Sequence, residues 1–496
     1  MQTTSPTRAD QLKASNLFTF PEKIGDYLVF SLRVGFLLCF LASISLAIFS
    51  AFSPNSHWLS IPSRTQAQPE FRTSGHERTN ISHILFGIGA SIATWRERSR
   101  STNLWWDPKS TRGFVWLDAE PDNQTSNVSG SIPFRVSEDW TRFKYSSSQS
   151  AVRIARIVYE SFKLRVPNVR WFVMGDDDTV FFTHNLVSVL ARYDHNQMYY
   201  IGGNSESVEQ DVMHAYEMAF GGGGFAISYP LAARLVERMD GCLERYYNFY
   251  GSDQRVWGCV SEMGVPLTRL RGFHQLDIRG DAYGILAAHP LAPLVSLHHL
   301  DVLKPLFPDQ DHLGSVKTLL RAYRVDPGRI LQQSFCYNRR RKWSMSISIS
   351  WGYTIQLYPS MVAALDLQTP LRTFKTWRSW NDGPFTFNTR PMSSDPCQQP
   401  LIFFLDHVKV SKSGLTVTTY KRFVANEAKQ CDKAEYIHAR AMQKIIVSSN
   451  KMDPQYWTKE EAPRRECSEI KNHGGFWHAN MEIRIRACRP SESIFM

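Results

Sequence analysis

The chain has 496 residues, which is too long for one ordinary domain and suggests about three units. Its composition, 43% hydrophobic and 21% charged, excludes wholesale disorder and supplies a sizeable core. The net charge of +11 suits phosphates, acidic polymers and anionic membranes equally. The charge therefore selects no partner class, and since no long basic block is present we predict no nucleic-acid partner.

An apolar run near the N-terminus is the first informative segment. Residues 34–52 carry no charge, and a helix of that length spans about 28 Å, close to the hydrocarbon thickness of a bilayer. Four lysines or arginines precede the run, and none follows it until Arg64. The positive-inside rule predicts a single-pass type II membrane protein with a cytosolic tail at 1–33 and a lumenal remainder. A cleaved signal peptide is the weaker alternative, because the run is long and starts late.

The region after the anchor agrees with lumenal exposure. Residues 53–79 are rich in Ser, Pro, Thr and Gln without a sustained period, which is typical of a stem. Asn80, Asn123 and Asn127 begin glycosylation acceptor sequences and predict a glycoprotein. Seven cysteines follow the anchor. Because seven is odd, at least one is predicted to stay free or to pair between chains.

Residues 80–325 show the pattern of an α/β domain. Apolar runs at 83–92, 113–118 and 169–175 predict buried strands, and periodic segments at 151–164 and 231–239 predict helices. Strands that alternate with helices favour a mostly parallel sheet that is covered on both faces.

Residues 326–496 have a different character. From 344 to 357 apolar and polar residues alternate without a break, which predicts a one-sided strand of an antiparallel sheet. Segments 401–404 and 415–420 add further strands. We predict a smaller β-rich region here, with a sandwich as the suggested arrangement.

The strongest chemical signal is the acidic triplet Asp176-Asp177-Asp178, which follows the apolar strand directly. At the carboxyl end of a parallel strand these carboxylates lie where open α/β sheets bind ligands. Hard oxygen donors suit Mn²⁺ or Mg²⁺. Asp176 and Asp178 point to one side of an extended segment and are the predicted metal ligands, while Asp177 faces elsewhere, towards the nucleotide ribose. A solvated acidic turn is the alternative.

Several further segments carry weaker signals. The four glycines at 221–224 precede an apolar strand and let the backbone approach a ligand or a neighbouring chain segment closely; Gly222 and Gly223 are the predicted contacts. Ser252 is predicted to cap a helix in whose first turn Asp253 lies. His274 follows Phe273, and His298-His299 stands in the run SLHHLD. Each histidine alone is more often a satisfied core or surface residue than a ligand.

The order of these pieces resembles the fringe-type β-1,3-glycosyltransferases. The closest resemblance is to plant fringe-related proteins long catalogued only as a domain of unknown function. The stretches that carry it are GFHQLDIRGDAYGILAAHPLAPLVSLHHLD (272–301), WSMSISISWGYTIQLYP and FNTRPMSSDPC. The resemblance covers about residues 80–400. It implies a Rossmann-like nucleotide-sugar-binding domain of the GT-A type at 80–325, followed by the smaller β-rich region.

The resemblance also implies roles for single residues. Asp176 to Asp178 match the motif that holds Mn²⁺ on the diphosphate of a nucleotide sugar, and His274 matches the histidine that completes the metal site. Asp253 falls in the acidic pair where the family has its catalytic base. The implied protein is a Golgi membrane enzyme that inverts the anomeric centre while it transfers a sugar, UDP-linked in the favoured reading, to a hydroxyl of a glycan or glycoprotein.

Two other functions stay open at this point. The acidic pair reads Asp253-Gln254 where relatives usually show two acids, which keeps open a catalytically weak or inactive, membrane-tethered glycan-binding or scaffold protein of the same fold. A metal-dependent phosphohydrolase is the more distant alternative. Two-metal hydrolases need a second cluster of ligand residues, and the sequence does not suggest one. The sequence names neither the donor sugar, the acceptor nor the oligomeric state.

Overall fold

The computed structural model describes residues 22–52, 78–121, 131–146, 148–340, 343–424, 431–453, 456–458, 463–473 and 480–495. The chain forms two compact units, Met1–Glu77 and Arg78–Met496. The predicted tail and stem lie mostly outside the described residues, as do Asn123 and Asn127.

The described part of the first unit is the helix α1 (Glu22–Phe52). Its segment Val29–Leu46 is long and apolar enough to cross a membrane. By length and composition this helix is compatible with the predicted single-pass anchor at 34–52.

The second unit begins with alternating strands and helices. Its strands as far as residue 325 are β1 (Ile84–Gly89), β2 (Gly113–Leu117), β3 (Phe134–Val136), β4 (Trp171–Asp176), β5 (Val180–Phe181), β6 (Tyr200–Gly202), β7 (Phe225–Ser228), β8 (Leu267–Arg269), β9 (Phe273–His274), β10 (Ile278–Gly280) and β11 (Ser296–Leu297). Its helices there are α2 (Ile92–Trp105), α3 (Gln149–Ala155), α4 (Ile157–Lys163), α5 (Thr183–Leu190), α6 (Val208–Met213), α7 (Tyr229–Arg245), α8 (Ser252–Glu262), α9 (Tyr283–Ala287) and α10 (His312–Val325).

The main sheet has the spatial order β3-β2-β1-β4-β7-β6-β8. Its pairs are parallel except those that β7 makes with β4 and β6, which confirms the prediction of a mostly parallel sheet. Alternate residues of β1 and β4 enter two separate hydrophobic clusters, with Phe86 and Val173 in one and Leu85 and Phe172 in the other. The sheet is therefore covered on both faces, as its nearly continuous apolar strands require.

Two small sheets adjoin the main one. Strand β11 pairs with β5 and β9. Strand β10 pairs antiparallel with β15 (Phe374–Thr376), with Ile278 opposite Thr376. This second pairing brings a segment of the C-terminal region against residues 278–280.

The C-terminal region forms a closed β-barrel and not a sandwich. Its elements are β12 (Gln333–Arg340), β13 (Trp343–Ser350), β14 (Thr354–Tyr358), α11 (Ala364–Leu367), β16 (Leu401–Val410), β17 (Thr416–Phe423), α12 (Ala434–Ala441), β18 (Lys444–Ser449), β19 (Cys467–His473) and β20 (Asn480–Arg486). The strands follow the order β12-β13-β14-β16-β17-β18-β20-β19. The parallel pairing of Phe335 with Cys467 closes the ring and removes the open edges that a sheet otherwise exposes.

The single strand predicted over 344–357 is wrong, because these residues form the hairpin of β13 and β14. Ile347 lies opposite Leu357 and Ile349 opposite Ile355. Odd residues therefore face odd residues across the turn at Gly352, where φ is +77°, and the alternation continues through the hairpin unchanged.

The polar face of this hairpin is also buried. Ser350 donates to the carbonyl of Leu286 at 2.8 Å, and Gln356 donates to the hydroxyl of Tyr283 at 3.2 Å. Ser350 and Gln356 thus contact α9 and not solvent, and their hydrogen bonds offset the cost of burying them.

The cysteines agree with the arithmetic of the sequence. Disulfides join Cys242 to Cys259, Cys397 to Cys431 and Cys467 to Cys488, while Cys336 is a buried free thiol. The first bridge links α7 to α8, the helix that carries Asp253.

Candidate functional site

The acidic triplet lies at the carboxyl end of the central strand, where Asp176 is the last residue of β4. Because β7 runs antiparallel to β4, the glycines that precede β7 lie at the same edge, with Met174 paired to Phe225. The hydroxyl of Thr179 accepts from the backbone N–H of Asp176 at 2.9 Å and donates to the carbonyl of Gly222 at 2.7 Å. This threonine joins the triplet to the glycine loop.

Asp177 faces helix α2. Its carboxylate accepts hydrogen bonds from the Thr94 hydroxyl at 2.8 Å and from Arg98 Nη1 at 2.9 Å. The hydroxyl of Thr102 donates to its backbone carbonyl at 3.0 Å. Arg98 also lies 3.3 Å from Asp178 and 3.0 Å from Asp301. Asp177 faces α2, and both its oxygens are held by the protein; its contact with the nucleotide ribose stays a prediction.

Asp178 pairs with a histidine that the sequence alone did not single out. Its Oδ1 lies 3.0 Å from Nε2 of His298. Burial opposes ionisation, but the charges of His298 and Arg98 outweigh it and hold the pKa of Asp178 below its ordinary value. Burial likewise favours the neutral imidazole, yet Asp178 and Asp176 raise the pKa of His298 to about 9. The two side chains form a buried ion pair.

Close approach explains the glycine loop. A Cβ on Gly222 would overlap the ring of His298, and one on Gly224, where φ is +84°, would lie 2.8 Å from Phe181. The N–H of Gly223 donates to the Gln275 side chain at 2.5 Å, and its carbonyl accepts from Ser296. The protein occupies these positions, so a role of Gly222 and Gly223 in binding a nucleotide stays a prediction.

Asp253 lies at the mouth of a small cavity that Asp176 and Gly221 also line. The N–H of Gly221 donates to its Oδ2 at 3.1 Å. Burial raises the pKa of the Asp253 carboxyl, against the Gly221 hydrogen bond and the charge of His214. Burial also raises the pKa of Asp176 to about 7, opposed by His298 and reinforced by the charges of Asp178, Asp177 and Asp253. The carboxyl of Asp176 is 35% exposed, so it is open to a ligand.

Helix α8 is capped differently from the prediction. Gly251 is the N-cap and Ser252 the first helical residue. The side chain of Gln254 accepts from the N–H groups of Tyr250 and Gly251 at 3.1 and 3.2 Å and donates to the carbonyl of His214. Gln254, which stands where relatives usually have a second acid, thus caps the start of α8. Asp253 lines the same cavity as Asp176.

His274 lies apart from the aspartates in a hydrogen-bonded row. Its Nδ1 is 3.1 Å from Glu206 and its Nε2 is 3.0 Å from Nε2 of His289. The carbonyl of Pro290 only accepts, so Nδ1 of His289 carries a proton. Burial and the charge of His274 keep His289 neutral by lowering its pKa.

Since neutral His289 then accepts at Nε2, His274 donates there, and both of its ring nitrogens are engaged. Among the described residues, His298 is the histidine that contacts the triplet. The ligand role implied for His274 has no such contact to support it and stays a prediction.

The donor set around Asp178 fits a divalent cation. Ligand atoms of Asp178, His298 and His299 lie within 4.8 Å of one another. Both Asp178 Oδ1 and His299 Nδ1 are buried; the first lies 3.0 Å from His298 Nε2 and the second 3.3 Å from Asp277 Oδ1. A bound cation would take the place of these contacts. Carboxylate oxygens suit Mg²⁺ and Mn²⁺, and imidazole nitrogens suit Zn²⁺ and Fe²⁺, so the set fits a divalent cation without selecting which one.

His299 is held in an unusual conformation. Its φ is +55°, and its ring stacks on Trp377 with 4.5 Å between ring centroids and 7° between planes. A non-glycine residue in this region costs about 1–3 kcal/mol and persists where packing imposes it. Trp377 belongs to the segment that follows β15, so the C-terminal region supports the candidate metal site.

Sequence reasoning missed Arg98, His298 and His299 as parts of this site. The run SLHHLD after an apolar strand was a usable signal, because β11 ends there beside β9. Arg98 gave no signal, since it stands among other charges on a surface helix.

Comparison with known proteins gives two family matches. Residues 210–468, slightly more than half of the chain, match a family model described as "Protein of unknown function, DUF604". Residues 102–282 match one described as "Fringe-like". These matches confirm the resemblance drawn from the sequence. No curated protein matches the chain.

Among solved structures, an active-site mutant of LgtC is similar at 11% identity and a TM-score of 0.30, over 46% of this chain and 90% of that chain. The catalytic domain of Drosophila β1,4-galactosyltransferase 7 in complex with xylobiose is similar at 12% identity and a TM-score of 0.22, over 38% and 63%. At these scores neither similarity carries an argument.

Replacing Gly222 by alanine is expected to lower the free energy of unfolding by roughly 1–3 kcal/mol, because the added methyl group forces the His298 ring out of a packed site. Denaturant unfolding of the full chain in detergent measures this as a lower midpoint. Gly241→Ala is the matched control, since its Cβ would meet only Arg245 at 3.5 Å within helix α7. Equal midpoints for both variants would show that the loop tolerates a side chain.

Proposed function

We propose a reaction and a site for this chain, which belongs to the family described as protein of unknown function DUF604 and is a fringe-like glycosyltransferase. The reaction is the metal-dependent transfer of a sugar from a nucleotide sugar, UDP-linked, to a hydroxyl of a glycan or glycoprotein. It inverts the anomeric carbon and forms a β-1,3 linkage. Residues 80–325 are the catalytic domain, of the GT-A type with a Rossmann-like nucleotide-binding half, and residues 326–496 are the β-rich region.

The observation that carries the proposal is the meeting of Asp176 and Asp253 at one cavity. These residues are 77 positions apart in sequence and come from different elements, β4 and α8. Each negative charge raises the pKa of the neighbouring carboxyl groups. Carboxyl groups with strongly shifted pKa values in one cavity are typical of functional sites. One of these carboxylates would help to hold a cation and the other would act as base, which is the division of roles that inverting transfer needs.

The metal residues are assigned from their contacts. Asp178, Asp176 and His298 would hold Mn²⁺ or Mg²⁺, with His299 next to them, and His298 would give up the proton of its ion pair to do so. When bound, the cation neutralises the charge that builds on the departing diphosphate. Arg98 stays paired to Asp177 and keeps that carboxylate out of the metal site.

Asp253 is assigned as the base. It accepts the proton of the attacking acceptor hydroxyl as the new glycosidic bond forms. The N–H of Gly221 fixes one of its oxygens, which leaves the carboxylate oriented towards the cavity. Its position in the first turn of α8 lowers basicity, and burial restores it by raising the pKa of the carboxyl.

The proposed location and membrane orientation rest on the membrane helix and on the family. We assign the chain to the Golgi membrane as a single-pass type II protein with a lumenal catalytic domain. A lumenal position supplies both nucleotide sugars and glycoprotein acceptors and agrees with the disulfides.

Asp253→Asn is expected to lower sugar transfer by roughly 10²–10⁴-fold, because the amide cannot take up the hydroxyl's proton. Binding of UDP is expected to stay unchanged. The measurement is UDP release from a panel of UDP-sugars with Mn²⁺, run beside UDP binding on the same full-length protein. Asp309→Asn is the matched control, since Asp309 is exposed and far from the cavity lining. Unchanged transfer by Asp253→Asn would refute the base.

The pH dependence of transfer follows from the same residue. A base works only when deprotonated, so turnover is expected to be full above the pKa of Asp253 and to fall as the pH drops through it. Because burial raises the pKa of this carboxyl, the acid limb is expected at higher pH than for an ordinary aspartate. A kcat/KM profile with saturating metal measures it. An acid limb at the ordinary aspartate pKa of about 4 would contradict the assigned environment.

A further inference from the structure

A second, open cleft lies on the other side of the start of α8. It has a volume of about 550 Å³, within the ~300–1,000 Å³ found for ligand sites. Tyr250, Gln254 and His214 line one side. Tyr250 is 69% exposed, and a large exposed aromatic ring in a cleft is a typical contact surface for a ligand.

The opposite side of the cleft comes from the C-terminal region. Trp377 and Arg378 line it, although they stand more than 120 positions after Tyr250. The pairing of β15 with β10 brings them there. Glu209 of α6 accepts from the backbone N–H of Arg378, and Arg279 donates to the carbonyl of Trp377 at 3.1 Å. The segment is therefore fixed in place.

The cleft adjoins the assigned base through His214. The ring of His214 lies 6.2 Å from that of Tyr250, and its charge acts on the Asp253 carboxyl. Asp253 and Gln254 are consecutive, with one facing the metal side and the other lining the cleft. The cleft is therefore lined by the residue that follows the base in sequence and by the histidine whose charge acts on it.

The lining has the chemistry that sugars need. The exposed Tyr250 ring offers an apolar face. The Trp377 ring is covered by His299 and by the Arg279 guanidinium and forms a fixed part of the lining. Hydrogen-bonding groups come from Gln210, Asn248 and Arg378. Polar groups that fix orientation around apolar walls are the usual build of a small-molecule site. A pyranose ring presents an apolar face of C–H groups and a rim of hydroxyls, which matches this lining.

We propose that this cleft is the acceptor-sugar site, and that the C-terminal region completes it with Trp377 and Arg378. The inference rests on the proposed transferase function. It gives the β-rich region a role in the reaction: the region supplies one wall of the acceptor site, and the same tryptophan stacks on His299 beside the candidate metal site.

Saturation-transfer NMR on the full chain in lipid nanodiscs tests the inference without requiring turnover. The probes are the methyl β-glycosides of galactose, glucose and glucuronic acid, with UDP and Mn²⁺ present. At least one glycoside is expected to bind, and Tyr250→Ala and Arg378→Ala are each expected to weaken it about fivefold or more, or ~1 kcal/mol. Both side chains lie at the surface, so neither change removes core packing.

Trp380→Ala is the matched control, because Trp380 is 61% exposed and belongs to the same segment but not to the cleft lining. It is expected to bind the glycoside as the wild type does. Binding of no glycoside, or equal binding by Arg378→Ala and the wild type, would overturn the inference. UDP release measured on the same samples reports the proposed function separately: wild-type release with unaltered binding in Arg378→Ala rejects only the acceptor site.

Discussion

The ion pair between Asp178 and His298 is the interaction on which the candidate site depends. Three consecutive carboxylates at the end of a buried strand repel one another, and burying an unpaired charge costs several kcal/mol. The protein resolves this by giving each aspartate a different surrounding. Asp177 binds Arg98 and Thr94, Asp178 binds His298, and Asp176 stays partly exposed. The partly exposed member is the one that faces the cavity with Asp253.

The same constraint explains features that look unrelated in sequence. The ring of His298 needs a backbone without side chains beneath it, and the glycine loop provides that backbone. His299 is held with positive φ against Trp377, so the neighbouring ligand position depends on a segment from the C-terminal region. The barrel region therefore contacts the α/β part through the polar hairpin face on α9 and through the pairing of β15 with β10, among other contacts.

The sequence predicted the parts of this arrangement that depend on local pattern. Periodicity located β4 and α7, and an apolar strand followed at once by three aspartates located the site. It could not predict His298 as the partner of Asp178, because 120 positions separate them and the pairing of β11 with β5, the strand after the triplet, brings them together. The resemblance implied His274, which lies on the neighbouring strand β9 opposite Leu297 and whose ring instead contacts Glu206 and His289. The sequence did not predict the barrel. The alternation of apolar and polar residues continues unchanged through the β13–β14 turn, so the pattern does not distinguish two strands from one.

Manganese binding tests the account most directly. Titration of the full chain with Mn²⁺ in the presence of UDP, followed by the loss of the free-ion electron paramagnetic resonance signal, measures the affinity. The account predicts that His298→Gln weakens it at least about tenfold, whereas His312→Gln, on α10 with its ring on the Leu303 carbonyl, leaves it unchanged. Equal affinity in wild type and His298→Gln would contradict a cation held at the acidic triplet by this histidine.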